Sequence, residues 1–245
     1  MFRSKKTLIN NIKKAFPKIA ANELEKLIST MWSNYGRILS DYIFIKNFRI
    51  SNYDDYIKIE GLDILKKIKE NNQPVIFVSG HFNNFELLAM TIEKSGIDLA
   101  AIYRPLNNIF LNKIMEKIRL QYICKNQIPK GLAGVKEMLN FFNNGTSLAL
   151  MIDQRVSQGA KINFFNEPAY TTTIPAQFVK KFNCPIVPMY IERSNKYFFK
   201  IHVEEPIHFN DALTLEEITL HLNLWIEKKI YQNPNQWIWS HNRWK

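Results

Sequence analysis

A histidine and a glutamate five residues apart, His81 and Glu86, stand where an apolar run gives way to a turn: Val75-Ile76-Phe77-Val78-Ser79-Gly80-His81-Phe82-Asn83-Asn84-Phe85-Glu86. A histidine held at such a turn can act as a general base, with Glu86 holding one imidazole nitrogen while the other accepts a proton. Residues five apart on one helix point about 140° away from each other. The two therefore meet only if His81 precedes the helix and Glu86 lies in its first turn. Gly80 permits the backbone angles of a tight turn, Asn83 or Asn84 can cap the helix, and Phe85, Leu87, Leu88 and Met90 read as its early apolar positions. The same residues also fit a plainer role: Asn83 and Glu86 have the spacing of a capping box, and His81 can be a structural histidine.

The chemistry depends on elements that bring other polar groups to this turn. From residue 61 onward short apolar runs at 75–79, 99–103, 148–152 and 185–190 alternate with helical spacing at 61–70, 84–95, 108–122, 131–143 and 174–183. That alternation predicts an α/β fold around a mainly parallel central sheet flanked by helices. Residues 197–204 alternate as a further strand that can pair antiparallel, and a helix follows over 214–231. Ligands of parallel sheets gather beyond the carboxyl ends of the strands. His81, Arg104 and Asp153 each follow an apolar run, so one sheet edge would collect all three. Arg104 can equally be a turn residue paired with an acid, and Asp153 a cap.

Ahead of this core, residues 1–60 read as an N-terminal helical segment of the same single domain, 1–245. A basic amphipathic helix over 5–16 carries Leu8, Ile9, Ile12, Ala15 and Phe16 beside four lysines, and suits either a surface helix or a contact with a membrane surface. After Pro17 a longer stripe, from Leu24 through Met31 and Ile38 to Ile43, is expected to be core. The chain has 245 residues, 46% of them hydrophobic, which is enough for one large core, and no low-complexity linker divides it. Its 33 basic and 22 acidic residues leave a net charge of +11 (33 − 22), which favours an anionic partner: nucleic acid, phospholipid, an acidic carrier protein or a phosphorylated substrate. Cys124 and Cys184 lack zinc-site spacing and are too few for a disulfide framework, so reduced, buried thiols in a cytosolic compartment are expected, and no metal. No signal peptide is evident, and no apolar run approaches the roughly 20 residues of a membrane-spanning helix.

The chain has no nucleophile elbow, phosphate loop, dinucleotide turn or H-E-x-x-H site. A base without an evident nucleophile suggests direct transfer, the acceptor itself attacking. Four ordered blocks then carry a resemblance: Ser79 to Glu86; Tyr103-Arg104-Pro105-Leu106-Asn107-Asn108; Asp153-Gln154; and Phe164-Phe165-Asn166-Glu167-Pro168-Ala169-Tyr170-Thr171. Together with Ala15-Phe16-Pro17, Trp32 to Arg37, Pro185 to Pro188, Pro234 to Trp239 and Arg243-Trp244, they make the chain resemble the late acyltransferases of lipid A biosynthesis. That family is similar to the glycerophospholipid acyltransferases in its H-x4-D/E core. Two departures stand out: Ile109 where the family commonly has proline, and Asn166 where it has glycine.

The resemblance implies a catalytic dyad of His81 and Glu86, and substrate-binding roles for Arg104, Arg119, Asp153, Asn84 and Gln154. It implies a fatty acyl donor carried as an acyl-carrier-protein thioester, a phosphorylated glycolipid acceptor, no cofactor and no nucleic acid. The enzyme would sit peripherally on the cytoplasmic face of a bacterial inner membrane. Family members usually carry an apolar membrane helix ahead of the Ala-Phe-Pro block. Here attachment is expected to use the basic N-terminal helix, the positive charge and the Trp/Arg-rich C-terminal stretch. A lysophospholipid or other glycolipid acyltransferase is the alternative within the same chemistry. A noncatalytic basic protein that binds membranes or nucleic acid is the alternative outside it.

Overall fold

The computed structural model describes residues 4–52 and 55–245. Its strands are β1 (Ile57–Glu60), β2 (Ile76–Ser79), β3 (Leu99–Tyr103), β4 (Asn126–Pro129), β5 (Ser147–Met151), β6 (Ala160–Phe164), β7 (Glu167–Thr171), β8 (Ile186–Asn195) and β9 (Phe198–Val203). Its helices are α1 (Lys5–Ala15), α2 (Ala21–Asp41), α3 (Ile45–Ile50), α4 (Leu62–Asn71), α5 (Glu86–Lys94), α6 (Ile109–Ile118), α7 (Leu132–Asn143), α8 (Ile174–Phe182) and α9 (Leu215–Gln232). Seven strands form one sheet in the order β1-β9-β8-β2-β5-β3-β4, and β6 and β7 form a separate hairpin. Strands β8, β2, β5, β3 and β4 run parallel, while β9 is antiparallel to β8 and carries β1 alongside it. The mainly parallel α/β reading of the sequence holds.

The central strand β2 is buried along its whole length, as expected of a run covered by helices on both faces. Its neighbour β5 is in register with Ser79 opposite Met151. Two residues further along each strand, His81 and Asp153 are therefore brought side by side. Four strands were not legible in the sequence. β1 and β4 are four-residue edge strands with a single buried residue each, Ile57 and Ile128, too short for an alternation to stand out. β1 also carries the sheet into the segment that composition assigns to N-terminal helices.

The β6–β7 hairpin turns on Phe165 and Asn166, both with positive φ (52° and 59°), the geometry of a two-residue type I′ turn. Asparagine tolerates that conformation well, so Asn166 replaces the family's glycine without altering the turn. Phe165 is held there by burial and by its backbone N–H, which donates to Glu227 Oε1 at 2.8 Å. Ile109 occupies the first helical position of α6, after the N-cap Asn108. Proline is favoured at that position, so the substitution is again compatible with the backbone.

Two surface expectations are corrected. α1 turns Leu8, Ile12 and Ala15 into the core, so its apolar face is not free for a membrane. Trp237, Trp239 and Arg243 near the C-terminus are fully buried as well. Arg243 donates to Tyr170 O and Thr171 Oγ1 and stacks on Phe164 at 4.7 Å, and burial lowers its guanidinium pKa to about 10. Along α2 the expected core stripe is only half realised. Leu24, Met31 and Ile38 are buried, but Leu39 is 62% and the following Ile43 79% exposed, because the helix packs along one flank against the Pro234–Gln236 turn. No helix among the described residues is long and apolar enough to cross a membrane.

Candidate active site

The turn after β2 delivers His81 to the carboxyl edge of the sheet, where two bonds fix it. Its backbone N–H donates to Asp153 Oδ2 at 2.8 Å and its ring Nδ1 lies 2.7 Å from Asp153 Oδ1. The Trp237 indole donates to the same Oδ2 at 2.7 Å. Asp153 is buried; desolvation opposes its charge, but the His81 imidazolium and these three hydrogen bonds outweigh it and hold the carboxyl at about 2. An ionised Asp153 requires Nδ1 to be the protonated nitrogen, which leaves the Nε2 lone pair to take a proton. The ring is partly open to solvent, packs edge-on against Phe85 at 4.7 Å, and is therefore both oriented and reachable.

Glycine at position 80 is dictated by space. Its φ is not among the positive ones; instead a Cβ there would meet the Phe82 ring at 2.8 Å and Asp153 Cγ at 3.3 Å. Gly80→Ala is expected to cost about 1–3 kcal/mol, read as a lowered unfolding midpoint, and to displace His81 from Asp153. The left-handed residue of the turn is Asn83, φ 43°. It is fully buried, and its backbone N–H donates to Gln236 O while its side chain donates to Asn34 Oδ1 and Gln236 Oε1. Neither Asn83 nor Asn84 caps α5, whose start has no side-chain cap.

Glu86 is the first residue of α5 and does not touch the imidazole. Its Oε1 accepts from Tyr42 Oη at 2.5 Å and from Arg119 Nε and Nη2 at 2.9 and 2.5 Å, while Oε2 takes none of these bonds. The role of orienting His81, expected of Glu86, falls to Asp153, because the β2–β5 register places it alongside whereas the first turn of α5 aims Glu86 back toward α2. The capping-box reading of Glu86 fails for the same reason. Arg119, expected to bind substrate, is buried and bonded to this carboxylate, and lies 5.6 Å from the Tyr103 ring centroid. Burial opposes its charge, but Glu86 prevails and the guanidinium pKa is raised. Burial first, and the neighbouring Glu86 second, push the Tyr42 phenol up as well.

Asn84, also expected to bind substrate, is likewise bonded within the protein. It is buried and donates at 3.2 Å to Asp41 Oδ2, which also accepts from Arg193 Nη2 at 2.5 Å. Burial, the largest influence, raises the Asp41 pKa despite that arginine. Gln154 is half-buried beside Asp153 and joins none of these bonds. Tyr42, Asp41 and Arg193 were missed from sequence. Tyr42 read as one of an apolar stripe, and nothing local marks an arginine inside a strand as the partner of a helix 152 residues away.

Arg104 lies where sequence placed it, exposed beyond β3. It lines an open cleft of about 840 Å3 with Lys130, Arg155, His241 and Lys245, and no aspartate or glutamate side chain lines it. Sheet order explains the clustering: His81 follows β2, Arg155 lies two residues after Asp153 beyond β5, Arg104 follows β3 and Lys130 follows β4. At a strand spacing near 4.8 Å, Arg104 and Lys130 lie roughly 10 and 14 Å along the edge from His81. Burial, and secondarily Arg104, lower the Lys130 pKa, a cost that a bound anion would relieve. A second groove of about 730 Å3, between the α1–α2 turn and the end of α9, contains none of these residues.

Cys124 and Cys184 are both free and buried, their thiols pushed up by burial to about 12 and 11, so neither is an activated nucleophile. The sheet edge thus carries an oriented imidazole and, further along it, a cationic cleft.

Over its whole length, residues 1–245, the chain matches the family described as bacterial lipid A biosynthesis acyltransferase. Lipid A biosynthesis acyltransferase 2 of Shigella flexneri is 22% identical over 240 residues, covering 94% of this chain and 74% of that one. The lipid A biosynthesis palmitoleoyltransferase of Escherichia coli K12 is 21% identical over 239 residues, covering 96% and 76%, and its myristoyltransferase 20% identical over 243 residues, covering 96% and 73%. Among solved structures, the 1-acyl-sn-glycerophosphate acyltransferase of Thermotoga maritima aligns over 91% of this chain and 87% of its own, with a TM-score of 0.43 and 14% identity. With a family match that leaves no part of the sequence out, the chain belongs to the bacterial lipid A biosynthesis acyltransferases and is itself an acyltransferase.

Proposed function

We propose that this enzyme moves a fatty acyl group from an acyl-carrier-protein thioester to a hydroxyl of a phosphorylated lipid A precursor, by direct transfer at a membrane surface. The observation that carries the mechanism is the 2.7 Å contact between His81 Nδ1 and buried Asp153. It leaves Nε2 to take the proton of the acceptor hydroxyl as that oxygen attacks the thioester carbonyl. Asp153 then supports the imidazolium. The tetrahedral intermediate collapses, the C–S bond breaks, and the departing carrier thiolate recovers the proton from His81. Glu86, fixed through Oε1 by Arg119 and Tyr42, keeps Oε2 to accept a hydrogen bond from the acceptor and aim its hydroxyl at Nε2.

The cleft supplies the anion recognition. A phosphate held by Arg104 and Lys130 lies several bond lengths from the reacting hydroxyl, a separation that suits a sugar-borne phosphate on a large glycolipid. Arg104→Ala and Lys130→Ala are each expected to raise KM for the phosphorylated acceptor about 10- to 100-fold with kcat nearly unchanged. With a dephosphorylated acceptor the difference from wild type should shrink.

The donor and acceptor are tested by a mass-resolved panel: acyl-carrier-protein against coenzyme A thioesters, and a tetra-acylated lipid A precursor against lysophospholipids. One added acyl group on the lipid A precursor, with the carrier-protein donor preferred, supports the assignment. Transfer confined to lysophospholipid, or to the coenzyme A donor, would replace it.

A further inference from the structure

Among the described residues, six of the fifteen exposed large apolar side chains lie in two segments, α6 and Ile43–Phe44, that bracket Glu86. α6 contains no buried residue, yet four of its ten positions are large aliphatic or aromatic residues more than half exposed: Ile109 70%, Phe110 81%, Leu111 53% and Ile114 56%. Such a helix meets the core through Ile118 at its end, yet its outer face does not resemble that of a solvated surface helix, which would be polar. Across from it, Ile43 and Phe44 are also exposed, directly after Tyr42. Tyr42 and Arg119, which follows α6 in the chain, both bond Glu86 Oε1, so the two exposed segments are tied together at the catalytic turn.

Their charges are of one sign outward. Arg37, Lys46, Lys113 and Lys117 are exposed among these apolar residues. The two acids of the segments are both engaged within the protein: Asp41 is buried and paired with Arg193, and the Oε1 of half-buried Glu116 accepts from Tyr103 Oη and Asn112 Nδ2. Apolar side chains ringed by outward lysines match the interface of an anionic bilayer, where hydrocarbon meets phosphate. A second copy of the chain is disfavoured, because a two-fold contact would set the same cations against themselves in a protein already carrying +11.

We propose that α6, together with the Ile43–Phe44 corner, is the surface by which this enzyme docks on an anionic phospholipid bilayer, presenting the Glu86–His81 turn to acceptors in the membrane. This deepens the lipid-acceptor reading above and replaces α1 and the C-terminal tryptophans as the attachment surface.

The test is run on the full chain. Because Cys124 and Cys184 are buried, a cysteine introduced by Phe110→Cys can be labelled with an environment-sensitive fluorophore, and Leu224→Cys, at an exposed position of α9 (54% against 81%), serves as control. Vesicles of phosphatidylglycerol and phosphatidylethanolamine are expected to blue-shift the label at 110 and leave that at 224 unchanged, whereas phosphatidylcholine vesicles give a weaker shift that salt does not modulate. The double variant Phe110→Glu/Ile114→Glu is expected to bind the anionic vesicles at least tenfold more weakly. It should lose activity on a vesicle-embedded acceptor while retaining it on a short-chain, monomeric one. A label at 110 that stays unshifted, an equal shift at 224, wild-type vesicle binding by the double variant, or a lipid-independent shift that grows with protein concentration would each overturn the proposal. A shift confined to 110 in a protein that transfers no acyl group upholds the docking surface and counts against the reaction instead.

Discussion

Asp153→Asn is expected to lower kcat for acyl transfer by about 10^3- to 10^4-fold with little change in KM. The carboxylate accepts from His81 Nδ1 and from the His81 backbone, so it sets both the tautomer and the angle of the ring. An asparagine amide turned toward Nδ1 presents a donor where an acceptor is needed, which places the proton on Nε2 and abolishes the base, as a triad acid does when it is amidated. The same variant carries a second signature in stability. The folded-state pKa of about 2 lies below the ordinary 3.8, so the ionised carboxylate stabilises the fold at all pH values above about 4, and that contribution is lost as pH falls through 2. The asparagine variant should therefore be roughly 2 kcal/mol less stable at neutral pH and should lack the part of acid unfolding that falls between pH 4 and 2. Circular dichroism against pH reads the difference; a catalytic loss with an unaltered acid limb would place the effect elsewhere.

The second large effect is in folding. Arg119→Ala strands Glu86 as a buried, unpaired carboxylate and is expected to cost about 3–5 kcal/mol. For a chain of this size that lowers the unfolding midpoint by roughly 6 to 20 °C. Because the penalty arises from the uncompensated charge, Glu86→Gln combined with Arg119→Met should recover much of it, and a double-mutant cycle should show strong coupling. If both arginine variants were equally and only slightly destabilised, Arg119 would be a solvated side chain available to substrate, as sequence alone suggested.

What could be read from the chain and what could not divides along the range of the interactions. The strand–turn–helix around His81, the sheet class, and the arrival of Arg104 and Asp153 at one edge were legible because each depends on local apolar periodicity followed by a polar residue. The partner of the imidazole was not, because spacing in sequence favours Glu86, whereas the β2–β5 register decides for Asp153, 72 residues further on. Arg119 and Asn84 were assigned to substrate for a related reason. A side chain's type reveals what it can bind, but only the packing of α2 and the turn after α6 shows that another protein group already occupies it. The buried C-terminal tryptophans repeat the lesson: a Trp/Arg-rich segment suits a headgroup region by composition, yet here Trp237 is spent on orienting Asp153. The exposed lysine-flanked stripe of α6 carried the opposite signal, since apolar spacing alone cannot say whether a helix faces a core or a bilayer.

The most direct measurement is a single-turnover, mass-resolved reaction of acyl-carrier-protein thioester with a tetra-acylated lipid A precursor, run on wild type and on folded His81→Ala. One acyl group should appear on the wild-type product and none on the variant's over the same interval. A His81→Ala protein that acylates the precursor at the wild-type rate would contradict the assignment of His81 as the base.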